Sequence, residues 1–315
     1  MVNGKIVIAG GSGFLGKTLG KWFTDQEREV VVLSRRPDSG EYGRATMWDG
    51  MSLGAWTDEL EGASALINLA GRSVDCRYTA RNRKAIMDSR ILSTRVLGEA
   101  VGNCSSPPAV WLNSSTATIY KHTYGDPHGE DGTIGAAPEA KDGFSIEVAT
   151  AWEEEFEKAQ TPETRKVVLR CAMVFGNEPG GVYEILTRLT RLGLGGKMAE
   201  GQQYVSWIHA EDFCRAIEWL IDKPNAEGIY NISAPNPLRN AEMMKILRRT
   251  LGMPVGLPAY RWMLEIGTFF MRTETELVIK SRRVIPERLL GEDFSFLFPS
   301  LELAVENLEK GTASR

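Results

Sequence analysis

Residues 5–36 read KIVIAGGSGFLGKTLGKWFTDQEREVVVLSRR. Ile6 to Ala9 is a short apolar run of the kind that forms a buried strand. It gives way to Gly10-Gly11-Ser12-Gly13-Phe14-Leu15-Gly16. Leu15, Leu19, Trp22 and Phe23 then recur on one face of a predicted helix, and Val30 to Leu33 predicts a second buried strand. Two glycine spacings coincide here, Gly11-x-Gly13-x-x-Gly16 and Gly10-x-x-Gly13-x-x-Gly16. Between a strand and a helix, such glycines let the backbone turn tightly and approach a pyrophosphate. The helix N-terminus then offers unpaired N–H groups and a positive dipole end, worth about 0.3–2 kcal/mol to an anion. Elsewhere the same glycines would be ordinary turn residues; the flanking strand and helix give the spacing its meaning. Gly10, Gly11, Ser12, Gly13, Phe14, Leu15 and Gly16 are therefore candidate dinucleotide-binding residues.

The tip of the second strand bears on which dinucleotide. An NAD site carries Asp or Glu there to bond the ribose 2′-hydroxyl. This chain has Ser34, Arg35 and Arg36. Two guanidiniums suit a 2′-phosphate through charge-assisted, forked hydrogen bonds, so NADP(H) is expected in preference to NAD(H).

With 315 residues, 43% of them hydrophobic and 25% charged, the composition is that of an ordinary soluble globular protein. A net charge of −4 gives no general reason to expect nucleic-acid or membrane-surface binding. The basic stretch Arg77 to Arg95 is interrupted by Asp88 and apolar residues and reads as a solvated helix face. Cys76, Cys104, Cys171 and Cys214 form no C-x-x-C pair, and the chain has only three histidines, so neither zinc nor a redox dithiol is expected. The first apolar run leads straight into the glycine turn and reads as a strand rather than a signal peptide; the apolar stretch Trp262 to Met271 is short and carries Glu265. A cytoplasmic protein, monomer or homodimer, is the expectation.

Further strands are predicted at Ala45–Trp48, Ser64–Leu69, Ala109–Asn113 and Lys166–Arg170. Helices are predicted at about 80–101 and 144–158, and Pro37 to Gly43 reads as a polar loop. Alternating strands and helices predict an α/β fold with a Rossmann-type, doubly wound parallel sheet, whose ligands bind outside the carboxyl ends of the strands. The pattern changes after residue 175. Gly180-Gly181 and Gly193 to Gly201 read as loops around a helix near 183–191, Tyr204 to His209 as one strand and Gly228 to Ile232 as another. The expected division is a dinucleotide-binding domain at 1–175 and a smaller, mixed α/β substrate domain at 176–315, with about 204–235 returning to the main sheet.

The combination of GGSGFLG at 10–16, NLAG at 68–71, SSTATIY at 114–120, LRCAMVFG at 169–176 and WIHAED at 207–212 resembles the extended short-chain dehydrogenase/reductase superfamily. Gly193 to Gly196, Ser206 to His209, Tyr230 to Pro237 and Arg283-Val284-Ile285-Pro286 are similar, more narrowly, to its atypical branch of NAD(P)-dependent nucleoside-sugar epimerase-like proteins. The resemblance implies Gly10, Gly13 and Gly16 around the pyrophosphate, Asp49 near the adenine, and Asn68, Leu69, Ala70 and Gly71 along the ribose and phosphates. It also implies Thr116 as the catalytic Ser/Thr and a small-molecule substrate, a sugar nucleotide or a carbonyl compound.

One departure stands out. The superfamily's general acid/base is a tyrosine followed four residues later by a lysine, whose charge favours the phenolate. Phe144 and Val148 occupy those places, and none of the eight tyrosines has a lysine four residues on. Phenylalanine transfers no proton. The remaining candidate proton handlers are Thr116, Tyr120, Glu147 and His209. Trp207, two residues before His209 on the same predicted strand, is expected to share its face beside a substrate cavity formed with Gly193 to Gly201. The reading is an NADP(H)-dependent oxidoreductase or epimerase-like enzyme without the usual pair. The alternative is a non-catalytic NADP(H)-binding sensor or partner-binding protein.

Overall fold

The computed structural model describes residues 4–36, 42–177, 181–263 and 276–313. Most of the predicted loop at 37–43, Gly180 and most of the apolar stretch 262–271 lie outside the described residues. The first strand, β1 (Ile6–Ala9), is buried at every position. Ile6 and Ile8 enter one core and Val7 and Ala9 another, because successive strand residues point to opposite faces and both faces are covered.

The other strands of the main sheet are β2 (Val30–Ser34), β3 (Arg44–Met47), β4 (Ala65–Asn68), β5 (Val110–Thr116), β6 (Arg165–Cys171) and β10 (Gly228–Ile232). They form a seven-stranded sheet in the order β10-β6-β5-β4-β1-β2-β3, every pair parallel. From β1 the chain runs outward through β2 and β3 and then returns to the other side of β1 as β4. That reversal opens a crevice between the carboxyl ends of β1 and β4.

Helices α1 (Phe14–Asp25) and α5 (Ala210–Asp222) pack on the face that holds Ile8, Val32 and Ile67. Helices α2 (Ala80–Asn103) and α3 (Gly143–Lys158) cover the other, where Trp111 meets Phe156 edge-on with centroids 4.6 Å apart. A third core, around Phe175, Trp207, Met244 and Val305, belongs to the C-terminal part, with α4 (Val182–Leu189) and α6 (Asn240–Thr250).

The predicted strand Tyr204–His209 is two strands. β8 (Tyr204–Val205) pairs antiparallel with β11 (Leu238–Arg239), and β9 (Trp207–His209) pairs parallel with β7 (Met173–Phe175). Ser206 is the break. Its Oγ donates to the Arg282 carbonyl at 2.8 Å and accepts from the Val284 N–H at 2.8 Å, which ties the side chain to the main chain of the C-terminal segment, while its own carbonyl accepts the Met173 N–H at 3.3 Å.

Candidate functional site

The glycine turn is built backbone against backbone. Gly10 has φ +77°, and a Cβ there would lie 2.7 Å from the Ala70 Cα. A Cβ on Gly16 would lie 2.3 Å from the Gly11 Cα, and one on Gly11 would lie 2.7 Å from the Val32 Cγ1. Gly13 is different: a Cβ there would meet nothing within 4 Å. It is the N-cap of α1, with extended backbone, no side-chain cap and no acid in the first turn. Ser12 and Gly13 are exposed, whereas Phe14 and Leu15 are half-buried and pack against the core beneath. The α1 terminus thus faces open space through main chain alone, as an anion requires.

At the β2 tip, Ser34 is buried and its Oγ accepts the Arg36 N–H at 3.2 Å. Arg35 and Arg36 are exposed. Asp49 closes its own turn: Oδ1 accepts from the Met51 and Ser52 N–H groups at 2.7 and 2.8 Å, and Oδ2 from the Ser52 hydroxyl at 2.7 Å. These bonds, the Ser52 hydroxyl's first, hold its carboxyl below the ordinary range. Asn68 is a buried clamp. It donates to Asn113 Oδ1 at 2.7 Å and accepts from the Ala70 N–H at 3.0 Å, fixing the bend of Leu69, Ala70 and Gly71 against Gly10. Asn68 therefore shapes the crevice wall from behind.

Thr116 ends β5, half-buried, and its Oγ1 accepts the Thr118 N–H at 3.1 Å, which leaves its own hydrogen uncommitted to that bond. The other proton-handling candidates are placed differently. Tyr120 is 1% exposed; its hydroxyl donates to Asn231 Oδ1 at 2.8 Å and accepts from Arg170 at 3.0 Å. Burial raises its pKa despite Arg170, so it is a core phenol. Glu147 points to solvent from α3. His209 is buried and caps α5, its Nδ1 accepting the Glu211 N–H at 3.1 Å, with the Phe298 ring 3.9 Å away. Burial brings its pKa down to about 4.

Two expectations about the substrate cavity are corrected. Trp207 is fully buried in the C-terminal core, stacked on Phe175 and donating to the Asn236 carbonyl at 3.2 Å. An apolar indole fills a core more readily than a wet cleft. The Gly193–Gly201 stretch is a main-chain junction. A Cβ on Gly196 would lie 2.4 Å from the Leu257 carbonyl carbon, and Ala199 donates to the Ala259 carbonyl at 2.8 Å. Gly196 permits that close backbone contact, and Gly193, at φ +77°, turns the chain.

A sequence profile of the NAD dependent epimerase/dehydratase family matches residues 6–233. The chain belongs to that family. A second profile, the domain of unknown function DUF1731, matches residues 261–308. The epimerase family protein SDR39U1 of Bos taurus is 28% identical over 310 residues, 96% of this chain and 99% of that protein. The epimerase family protein YfhF of Bacillus subtilis is 28% identical over 304 residues, 96% and 97% of the two chains. The crystal structure of human SDR39U1 (isoform 2) with NADPH superposes with a TM-score of 0.85 at 25% identity, covering 97% of this chain and 99% of that one.

In this epimerase-family chain, Phe144 and Val148 are both buried. The Phe144 ring lies under Tyr78, edge-on at 5.0 Å, and under the Arg83 guanidinium at 4.6 Å. Beside it lie residues that the sequence reading passed over. Ser145 and Tyr78 donate to Glu276 Oε1, the latter at 3.4 Å. Lys280 pairs with Asp142 at 2.5 Å, and Arg282 Nε donates to Thr118 Oγ1 at 3.0 Å. Glu276 and Lys280 stand four apart in an otherwise apolar run, ELVIK, and that spacing was the available signal.

Proposed function

We propose that this epimerase-family chain is an NADP(H)-dependent oxidoreductase or epimerase-like enzyme whose cofactor lies across the β1/β4 crevice. The observation that carries this reading is the open space before Gly13, enclosed by glycines that admit no side chain. Gly10, Gly11, Ser12, Gly13, Phe14, Leu15 and Gly16 would hold the pyrophosphate on backbone N–H groups. Arg35 and Arg36 would take the 2′-phosphate, Asp49 with its turn would border the adenine, and Leu69, Ala70 and Gly71 would line the ribose side over the Asn68 clamp. Human SDR39U1 with bound NADPH, similar over nearly the whole chain, supports the choice of cofactor.

When bound, the nicotinamide supplies or accepts a hydride. The chain's own residues orient the substrate and manage charge. Thr116, half-buried at the carboxyl end of β5 with an uncommitted hydroxyl hydrogen, is the donor best placed for a carbonyl oxygen that gains negative charge. Tyr120 supports that strand end from the core, and His209 fixes the start of α5. The substrate class is a carbonyl or hydroxyl compound, sugar nucleotides included.

A sensor or scaffold that binds cofactor without turning over draws on one observation, the covered Phe144 in the place of a catalytic tyrosine. Following NADPH oxidation against sugar nucleotides, ketones and aldehydes separates the two readings. Turnover that Thr116→Val abolishes while NADPH affinity persists supports the enzyme; tight NADPH binding with no turnover across the screen supports the sensor.

A further inference from the structure

Four charged side chains are drawn from water where the C-terminal segment crosses the carboxyl edge of the main sheet. Lys280 and Asp142 are each 0% exposed and neutralise one another, and Lys280 also donates to the Thr118 carbonyl at 2.5 Å. Arg282 is engaged with Thr118 Oγ1. Glu276, 5% exposed, is placed differently: among the described residues, the groups bonded to its carboxylate are the hydroxyls of Ser145 and Tyr78, both on Oε1. A buried carboxylate is costly to keep charged, and hydroxyl partners can either donate to it or accept from it. Ser145 is half-buried in the first turn of α3, and the turn Ala117–Ile119 that follows Thr116 packs on that helix. Arg282 Nε bonds the Thr118 hydroxyl, and the Thr118 backbone N–H bonds Thr116 Oγ1, so both contacts are made on the turn that carries Thr116. The carboxyl group with its two hydroxyls and the strand end that carries Thr116 are therefore brought together by the packing of that turn on α3.

We propose that Ser145, backed by Glu276, moves the proton at the substrate oxygen, and that the Ser145–Glu276–Tyr78 group takes over the work of the absent tyrosine–lysine pair. This rests on the enzymatic reading above. In the reducing direction, the carbonyl carbon gains a hydride from a reduced nicotinamide and the C=O π pair moves to oxygen. That oxygen takes the Ser145 Oγ proton, Ser145 takes the Glu276 carboxyl proton, and the carboxylate regains a proton from water. Hydride and proton together make the alcohol, and the oxidising direction reverses each transfer. Glu276 acts through Ser145 and is a positioning and proton-storing residue; Ser145 is the group at the substrate. Several groups face Glu276. Burial lifts its carboxyl above the ordinary range and Asp142 adds to the lift, whereas the Ser145 hydrogen bond, Arg282 and Lys280 hold it back.

The test follows the Glu276 side-chain carbon by NMR in protein carrying 13C-labelled glutamate. The resonance is assigned by its loss in Glu276→Gln and titrated in ligand-free, NADPH-bound and NADP+-bound protein. The carboxyl is expected to titrate above an ordinary glutamate, and lower with NADP+ than with NADPH, because the oxidised ring carries a positive charge. An identical titration in all three states places Glu276 away from the reacting atoms and overturns the proposal. With a substrate from the screen, Glu276→Gln and Ser145→Ala are each expected to lower kcat by about 10²–10⁴-fold with little change in KM. The fall in kcat at rising pH is expected to vanish in Glu276→Gln, and the double variant to be no worse than either single one. A Glu276→Gln variant with a lowered melting temperature but the parent pH profile shows a structural tether and overturns the proposal. A parent that binds NADPH yet never turns over ends the enzymatic reading and this proposal together. Turnover with a Glu276 titration blind to the cofactor ends this proposal alone.

Discussion

Gly13→Ala separates the cofactor site from the stability of the fold. The Gly13 backbone, φ −83° and ψ 177°, suits any residue, and the added methyl would meet nothing within 4 Å. Alanine is a poorer N-cap than glycine, by about 1 kcal/mol, but it also lowers the entropy of the unfolded chain by about 0.4–1 kcal/mol. The two offset, so the melting temperature of the ligand-free variant should stay close to the parent's. The methyl would nevertheless occupy the space where a pyrophosphate must touch main-chain N–H groups. One charge-assisted hydrogen bond lost or stretched costs about 1.5–3 kcal/mol, so NADPH affinity should fall by about ten- to a hundred-and-fiftyfold. Gly16→Ala is the contrast. Its Cβ would lie 2.3 Å from the Gly11 Cα, so the backbone must shift, and the ligand-free fold should lose about 1–3 kcal/mol. Thermal melts without ligand and fluorescence titrations with NADPH read the two effects separately. A Gly13→Ala protein that binds NADPH as tightly as the parent refutes the placement of the pyrophosphate.

Three further outcomes are expected. Thr116→Val should retain NADPH affinity and lose about a hundred- to a thousandfold in kcat, the cost of about 2.7–4 kcal/mol for one oxyanion donor, as measured by steady-state rates on a substrate from the screen. His209 titrates at about 4 in the fold against an ordinary 6.5, so the unfolded chain binds its proton first and stability drains away as pH falls from 6.5 towards 4. The loss is at most about 3 kcal/mol, and urea titrations should show a flatter acid limb in His209→Asn than in the parent. Glu153 holds Arg170, whose side chain is 3% exposed, at 2.8 Å; Glu153→Gln should destabilise by about 3–5 kcal/mol in urea, because it leaves a buried guanidinium without its counter-charge.

The sheet was legible because its strands are buried on both faces and read as unbroken apolar runs. Ile6–Ala9 and Gly228–Ile232 begin and end where the sequence places them. Arg44–Met47 lies one residue before its predicted position, on the sheet's edge, where burial constrains the sequence least. Tyr204–His209 misleads because alternation shows that residues are extended and says nothing of their partners. The division at Ser206 depends on Arg282 and Val284, far along the chain. Trp207 and Gly196 carry the same lesson. An indole or a glycine pair looks the same in sequence whether it lines a cavity or closes a core, and only the contacts with Phe175 and Leu257 decide. The glycine turn was readable because its chemistry is local. The group around Ser145 and Glu276 was not, since it joins residues 131 positions apart.

The most direct test of the account is calorimetric titration of the ligand-free protein with NADPH and with NADH. With Arg35 and Arg36 at the tip of β2, NADPH is expected to bind at least about tenfold tighter, a discount for exposure on the 1.5–3 kcal/mol of a charge-assisted bond. Replacing both arginines with alanine should narrow that gap. Equal affinities for the two cofactors would contradict the 2′-phosphate site, and no binding of either would contradict the dinucleotide crevice itself.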